Sequence, residues 1–256
     1  MNDIFNLERF GRLFIKHTVE HYKSYLMSLI VLMGFMVLGG SFVVYMIQIP
    51  VNKSFQAAIF IPILLFAGTF FTSTVFAGIG DKKSAVSALT LPASHLEKYL
   101  VAWLYSFVIF LVVFVTVFWA AVMLAVNIQH LPGNQPDFFD VFDRHILEVY
   151  ILYAFLHAVA LFGAIFFEKL HFIKTGFVFF ILFATIIFVN KIALNILLGR
   201  NIGVPVPFGN VRFIENGRIM DINFNNMPDP YIVYLISVLA LMLWVASYYR
   251  LKEKQV

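Results

Sequence analysis

The chain has 256 residues, of which 61% are hydrophobic and only 12% are charged, whereas a soluble domain usually carries about 25% charged residues. It contains no cysteine, which excludes disulfides, thiol catalysis and cysteine-ligated metals. The isoelectric point of 9.2 does not indicate nucleic-acid binding, because the basic residues lie beside the ends of apolar segments and form no continuous stripe. These properties predict a membrane protein.

The stretch before the first long apolar run has the pattern of an amphipathic helix. Residues 4–22 place Phe10, Leu13, Phe14 and His17 at helical spacing, with the charged residues largely elsewhere around the helix. This predicts an elbow helix lying along the cytoplasmic interface. The alternative is a cytoplasmic extension of the first span. Acidic residues in the stretch, and the lack of a nearby small-residue cleavage site, argue against a cleaved signal peptide.

Six apolar segments are each long enough to cross about 30 Å of hydrocarbon. We therefore predict an all-α polytopic membrane protein in which residues 1–256 form a single transmembrane domain. In the first segment, Gly39-Gly40-Ser41 would allow close helix approach, for instance between subunits. The predicted spans are 24–47, 57–78, 99–127, 147–167, 175–198 and 231–249.

The distribution of basic residues predicts the orientation. With six crossings both termini lie on one side, and that side carries twelve lysines and arginines against five on the other. The positive-inside rule then places both termini in the cytoplasm. The twelve are Arg9, Arg12, Lys16, Lys23, Lys82, Lys83, Lys98, Lys169, Lys174, Arg250, Lys252 and Lys254. The five are Lys53, Arg144, Arg200, Arg212 and Arg218.

The loop between the second and third spans, residues 79–93, is predicted to be a structured cytoplasmic segment. Asp81 can cap a short helix that ends at Leu91-Pro92. The next helix begins with Ser94-His95-Leu96-Glu97, a capping-box pattern in which Ser94 and Glu97 satisfy each other's amides. An ordinary connecting loop is the alternative for the segment before Pro92.

The last external loop, about 199–230, contains the strongest turn signal in the chain. Asn216-Gly217 lies between two runs of β-prone residues, and both turn residues tolerate positive φ. We therefore predict a small external β-hairpin between the last two spans. The alternative is a loop with a local turn and no strand pairing.

The sequence lacks the usual motifs of a self-contained catalyst. It has no G-x-x-x-x-G-K-[ST] phosphate-binding loop, no H-E-x-x-H zinc motif and no G-x-S-x-G nucleophile elbow. We expect no catalytic residue, no bound metal and no cofactor in this chain. A transmembrane bis-histidine haem is not expected either, because no histidine at matching depth faces His157.

A few polar residues inside the predicted spans are candidates for a translocation path. His157 is near the middle of a span, where an ionisable group is a functional candidate, and we expect it to stay neutral and bond to a neighbouring helix. The others are Thr69, Thr72, Asn190 and Lys191. The alternative is structural: the lysine snorkels to the headgroups, and the amide and hydroxyl groups pack between helices.

The arrangement of these elements resembles the ABC-2 type permeases, the membrane subunits of type V ABC exporters. Residues 88–98, Ala-Leu-Thr-Leu-Pro-Ala-Ser-His-Leu-Glu-Lys, are similar to that family's leucine, proline, small residue, serine pattern before the third span. The resemblance implies that residues 81–89 form a coupling helix that contacts a separate ATPase. It assigns coupling or ATPase contact to Asp81, Lys82, Lys83, Val86, Leu89, Pro92, Ser94, Glu97 and Lys98.

The resemblance also implies the partners and the location. The chain would be the permease subunit of an exporter in the cytoplasmic (inner) membrane, paired with a second permease subunit, either identical or related. ATP and Mg²⁺ would be bound by the ATPase subunit. The rival functions are a secondary transporter driven by an ion gradient and a non-transporting membrane scaffold or assembly protein. A third, a membrane enzyme, would need the external acidic residues and His145 to converge, and nothing in their spacing requires that.

Overall fold

In the part of the chain that the structure describes, the protein has six long helices and one pair of short strands. The computed structural model describes residues 5–47, 52–80, 93–128, 138–167, 169–199, 202–203, 207, 211–215, 218–222 and 230–253. The helices are span 1 (Leu7–Gly34, Phe35–Gly39 and Gly40–Ile47), span 2 (Lys53–Gly80), span 3 (His95–Trp103, Leu104–Ile109 and Phe110–Ile128), span 4 (Arg144–Phe166), span 5 (His171–Leu198) and span 6 (Pro230–Glu253). The strands are β1 (Val211–Glu215) and β2 (Arg218–Ile222).

The prediction of six apolar segments is confirmed, since all six helices are long and apolar enough to cross a membrane. They indicate a multi-pass membrane protein. The predicted coupling segment stays a prediction, because its residues lie outside the described part of the chain. These residues are Asp81, Lys82, Lys83, Val86, Leu89 and Pro92.

The prediction of a separate elbow helix is wrong. Residues 7–46 form one continuous helix of 40 residues, about 60 Å long and roughly twice the thickness of the hydrocarbon. The sequence between Arg12 and Met33 contains neither proline nor glycine, so nothing interrupts the backbone hydrogen bonds where the elbow was expected to end. The apolar stripe of the elbow prediction instead packs in part against span 3, where the Phe14 ring stacks on Tyr105.

Span 4 lies at the centre of the helix packing. Of its most apolar stretch 44% is buried, whereas none of the corresponding stretch of span 5 is buried. Tyr153 of span 4 is fully buried together with Phe60 and Leu64 of span 2 and Phe114 of span 3. Gly68 permits this contact, because a Cβ at that position would overlap the Tyr153 ring.

Spans 1 and 3 each contain one turn of π-helix, Phe35–Gly39 and Leu104–Ile109. Such turns contain one extra residue and are frequent at functional sites. At the end of the first π-turn, a Cβ added to Gly39 or Gly40 would meet no described atom within 4 Å. The close helix approach suggested by these glycines is therefore absent within the described part of one chain.

The short segment before span 4 folds back onto spans 2 and 3. Gln56, which is buried, accepts a hydrogen bond from the Phe139 amide over 3.0 Å. The Phe139 ring lies 5.4 Å from that of Phe60. Asp143 then caps span 4 by accepting the His145 amide over 2.9 Å.

β1 and β2 pair antiparallel in the region of the predicted hairpin, with Glu215 opposite Arg218 next to Asn216-Gly217. Ile202, which is buried, forms an isolated bridge with Phe213. Its amide donates to Asn195 Oδ1 over 2.9 Å. The strands are thereby attached to the end of span 5, and the side of the membrane on which they lie stays a prediction.

Candidate functional site

Glu97 lies in the first turn of span 3 and helps to cap the start of that helix. The predicted capping box is confirmed: the Glu97 amide donates to Ser94 Oγ over 3.2 Å, and the Ser94 amide donates to Glu97 Oε2 over 3.0 Å. These bonds pair amides that the first turn of a helix leaves without partners. The start of span 3 is therefore fixed directly after the loop between spans 2 and 3.

The same carboxylate also binds the start of span 1. Arg9 donates to it through two nitrogens, with Nε 2.7 Å from Oε2 and Nη2 2.9 Å from Oε1. The Asn6 amide donates to Oε1 over 2.8 Å. Asn6 is itself the N-cap of span 1, because its side chain accepts the amides of Glu8 and Arg9. One carboxylate thus joins the beginnings of two helices.

We call Asn6, Arg9, Ser94 and Glu97 the Glu97 joint. The Glu97 side chain is 0% exposed and the Arg9 side chain 34% exposed. A buried carboxylate is stable only when charge and hydrogen bonds compensate its loss of water, and here four donors do so in a forked geometry. The two helix starts are therefore held as one unit.

Further along span 1, aromatic side chains form a second contact with span 3. Tyr105, in the π-turn of span 3, hydrogen-bonds through its hydroxyl with Thr18. Its ring packs on Phe14, His17 and Tyr25, with centroids 4.9, 4.8 and 5.3 Å away. Offset aromatic pairs of this kind stabilise a contact beyond what their buried area alone contributes. Span 1 is thus attached to span 3 from Arg9 to Tyr25.

His157 lies at the contact of spans 3, 4 and 6 and is fully buried. Trp244 Nε1 donates to His157 Nδ1 over 3.1 Å. His157 Nε2 is 2.9 Å from Ser106 Oγ, which lies 3.3 Å from the Trp103 carbonyl. Ser106 belongs to the π-turn of span 3.

These contacts determine the protonation of His157. An indole N–H can only donate, so Nδ1 must be the acceptor and the proton must be on Nε2. His157 Nε2 then donates to Ser106, and Ser106 donates to the Trp103 carbonyl. The predicted bond to a neighbouring helix is confirmed. His157 is enclosed between helices within the chain, and a role in a translocation path stays a prediction.

The Trp244–His157 bond should contribute modestly to stability. Trp244→Phe keeps an aromatic ring and removes the donor, so we expect a loss of about 0.5–2 kcal/mol in the free energy of unfolding. Trp119→Phe is the matched control, since Trp119 packs on Phe138 and should cost less. Thermal unfolding in detergent, followed by loss of monodispersity, measures both. Equal losses would contradict the assigned hydrogen bond.

The other candidate path residues are dispersed. Thr69 Oγ donates to the Leu65 carbonyl and Thr72 Oγ to the Gly68 carbonyl, each over 2.7 Å. Both hydroxyls bond to the preceding turn of span 2, and the Thr72 side chain is fully buried. The expected packing of these residues between helices stays a prediction. Asn190 and Lys191 are half-buried on span 5, which lies at the periphery. These four residues lie on spans 2 and 5, whereas His157 lies on span 4.

Sequence reasoning missed several residues of these contacts. Asn6 could have been found, since an asparagine before a helical pattern is a common N-cap. Arg9, Ser106 and Trp244 could not, because their partners lie 88, 51 and 87 residues away. Lys98, assigned with Glu97 to coupling, is half-buried in the first turn of span 3.

Among the described residues, no three histidine, aspartate or glutamate side chains lie close enough together to hold a metal ion. No protein-family model, curated protein or solved structure matches the chain. The features of the chain that point to a function are the Glu97 joint, the six apolar helices and the sequence of the loop that precedes Ser94.

Proposed function

We propose that the chain is the permease subunit of an ATP-driven exporter in the cytoplasmic membrane, with both termini in the cytoplasm. It would pair with a second permease subunit, identical or related, and with a separate ATPase that binds ATP and Mg²⁺. The observation that carries the proposal is the Glu97 joint. It lies at the exit of the segment that resembles a coupling helix and ties that exit to two membrane helices.

The proposed mechanism has no covalent step in this chain. The ATPase closes on ATP and displaces residues 81–92, and the displacement reaches Ser94 and Glu97 directly along the backbone. Because Glu97 holds both Arg9 and the Asn6 amide, spans 1 and 3 would move together. Hydrogen-bonded contacts between rigid helices are one way in which such a displacement is passed on, and the Glu97 joint is a contact of this kind.

The buried charges favour this function over a secondary transporter. An ion-coupled transporter usually places a carboxylate at mid-membrane. Among the described residues, Glu97 is the one buried carboxylate, and it lies in the first turn of span 3 with its charge paired to Arg9. Neutral groups such as Ser106 and His157 occupy the deeper buried positions.

Co-purification tests the proposed assembly. The tagged chain should bring down a nucleotide-binding subunit that contains a phosphate-binding loop and is encoded nearby. Reversing the charges of Lys82 and Lys83, or replacing Leu89 by Asp, should reduce recovery of that subunit about ten-fold, because an interface depends on few central residues. The control is Lys169→Glu with Lys174→Glu, two exposed lysines of another predicted cytoplasmic loop. Unchanged assembly in all loop variants would contradict the coupling assignment.

The joint predicts a second, separable effect. Glu97→Gln keeps an acceptor for one amide and removes the charge that binds Arg9. We expect the ATPase to remain bound while its stimulation by the permease is lost, because the contact that transmits the displacement is broken. ATPase assays of the reconstituted complex measure this, with Glu8→Gln as control for an exposed ion pair with Arg12. Full stimulation in Glu97→Gln would show that the joint transmits nothing.

A further inference from the structure

An apolar cleft lies between spans 1, 2 and 3, near the end of span 1 that is remote from Arg9. Its volume is about 450 Å³, roughly three times that of an apolar cavity of about 150 Å³ that stays dry and accepts benzene. Its walls are the first π-turn and the following helix of span 1, the Pro62 turn of span 2 and the Phe118–Ala125 stretch of span 3.

The lining of the cleft is almost entirely hydrocarbon. Its one polar residue is Gln56, whose carbonyl oxygen accepts the Phe139 amide. Gly39 and Gly40 form part of the span 1 wall, and a Cβ on either would meet no described atom within 4 Å. The missing side chains thus contribute to the width of the cleft. Phe35 and Phe42 of the same wall are each 63% exposed, so the cleft reaches the surface that faces the bilayer.

The lining and the opening of the cleft select its occupant. The wall of span 1 runs from Phe35 to Val44, about 13 Å at 1.5 Å per residue. An apolar cleft that stays empty forfeits the dispersion contacts of its lining, and this cleft opens towards bilayer hydrocarbon. An extended acyl chain is flexible, matches the apolar lining and is supplied by the bilayer beside the cleft.

We propose that this cleft binds one acyl chain of a membrane phospholipid. The cleft extends from near the ends of spans 1 and 2 into their apolar stretches, because its span 1 wall ends three residues before Ile47 and its span 2 wall begins two residues after Lys53. The proposal requires only that the six helices lie in a membrane, and it does not depend on the exporter function.

Photolabelling tests the site directly. The full chain is reconstituted in nanodiscs that contain a phosphatidylcholine with a diazirine in one acyl chain, irradiated and digested, and the labelled residues are mapped by mass spectrometry. We expect cleft residues of spans 1–3 to be labelled more strongly than the lipid-exposed residues of span 5. Gly39→Leu should reduce cleft labelling at least about ten-fold, while labelling of span 5 stays constant.

Two further variants keep the outcome interpretable. Ala58→Leu fills the cleft from span 2, where the alanine is exposed and lines the opposite wall, and it decides the question if Gly39→Leu fails to fold. Gly34→Leu is the matched control, since a Cβ there also meets no described atom within 4 Å and Gly34 does not line the cleft. Unchanged cleft labelling in both filling variants, or cleft labelling no stronger than on span 5, overturns the proposal. Labelling by a photoreactive free fatty acid but not by the phospholipid also overturns it.

Discussion

Arg9→Ala should lower the free energy of unfolding by about 3–5 kcal/mol, because it leaves the Glu97 carboxylate buried without its counter-charge. Glu97 is 0% exposed and accepts two of its four hydrogen bonds from the Arg9 side chain. The Asn6 and Ser94 amides remain, but two amides do not replace a guanidinium. Thermal unfolding of the detergent-solubilised protein, followed by tryptophan fluorescence, measures the loss.

Arg12→Ala is the matched control for this substitution. Arg12 pairs with Glu8 one turn away, and both side chains are more than 70% exposed. Exposed pairs of this kind contribute at most about 0.5 kcal/mol. The double variant Arg9→Ala/Glu97→Gln should recover part of the loss, since the neutral amide no longer buries a charge. Equal unfolding temperatures for Arg9→Ala and Arg12→Ala would show that the Glu97 joint does not stabilise the fold.

The local half of this site could be predicted from sequence and the distant half could not. Ser94 and Glu97 are three residues apart, and a helix start converts that spacing into a fixed geometry. The contact of Arg9 could not be predicted in this way, since nothing in the sequence distinguishes Arg9 from other basic residues near the membrane surface. Its partner is 88 residues away. Contacts between helices depend on rotation and depth, which hydrophobic runs specify only loosely.

The elbow prediction failed for a related reason. Residues 4–22 have the period of an amphipathic helix, and that period gives a polar and an apolar face without saying whether the apolar face meets lipid or protein. In the structure, Phe14 and His17 pack against Tyr105, and the helix continues without a break. The six spans could be predicted because length and apolar content alone define them.

The sequence also predicts only in part which small residues lie at helix contacts. The Gly39-Gly40 pair indicates close helix packing by its sequence, yet these residues line an open cleft. Gly68 and Gly163, single glycines in apolar helices, are the two described glycines at which an added Cβ would overlap a neighbouring helix. An isolated glycine has no recurrent spacing that distinguishes a contact from a lipid-facing position.

Substitution of Gly163 should therefore cause the second large loss of stability. A Cβ at Gly163 of span 4 would overlap Thr175 Oγ of span 5 and lie 2.6 Å from Thr175 Cβ. A β-carbon cannot move aside by changing a rotamer, so the two helices would have to separate. We expect Gly163→Ala to cost about 1–3 kcal/mol and Gly163→Leu more, measured as the unfolding temperature and as protease access to span 5.

The partner residue makes the cause of this loss testable. Thr175→Gly in the Gly163→Ala background removes the overlapping atoms and should recover all but about 1 kcal/mol, the cost of a glycine inside a helix. Gly176→Ala is the control on the same helix, because a Cβ there meets no described atom within 4 Å, and it should leave stability unchanged or slightly raised. If Gly163→Ala behaves like Gly176→Ala, span 5 is not held against span 4 by this contact. Among the described residues of span 5, Thr175 is the one that is buried, so the Gly163 contact is where the position of this helix is most closely defined. The rescue by Thr175→Gly distinguishes that role from a general intolerance of larger residues in span 4.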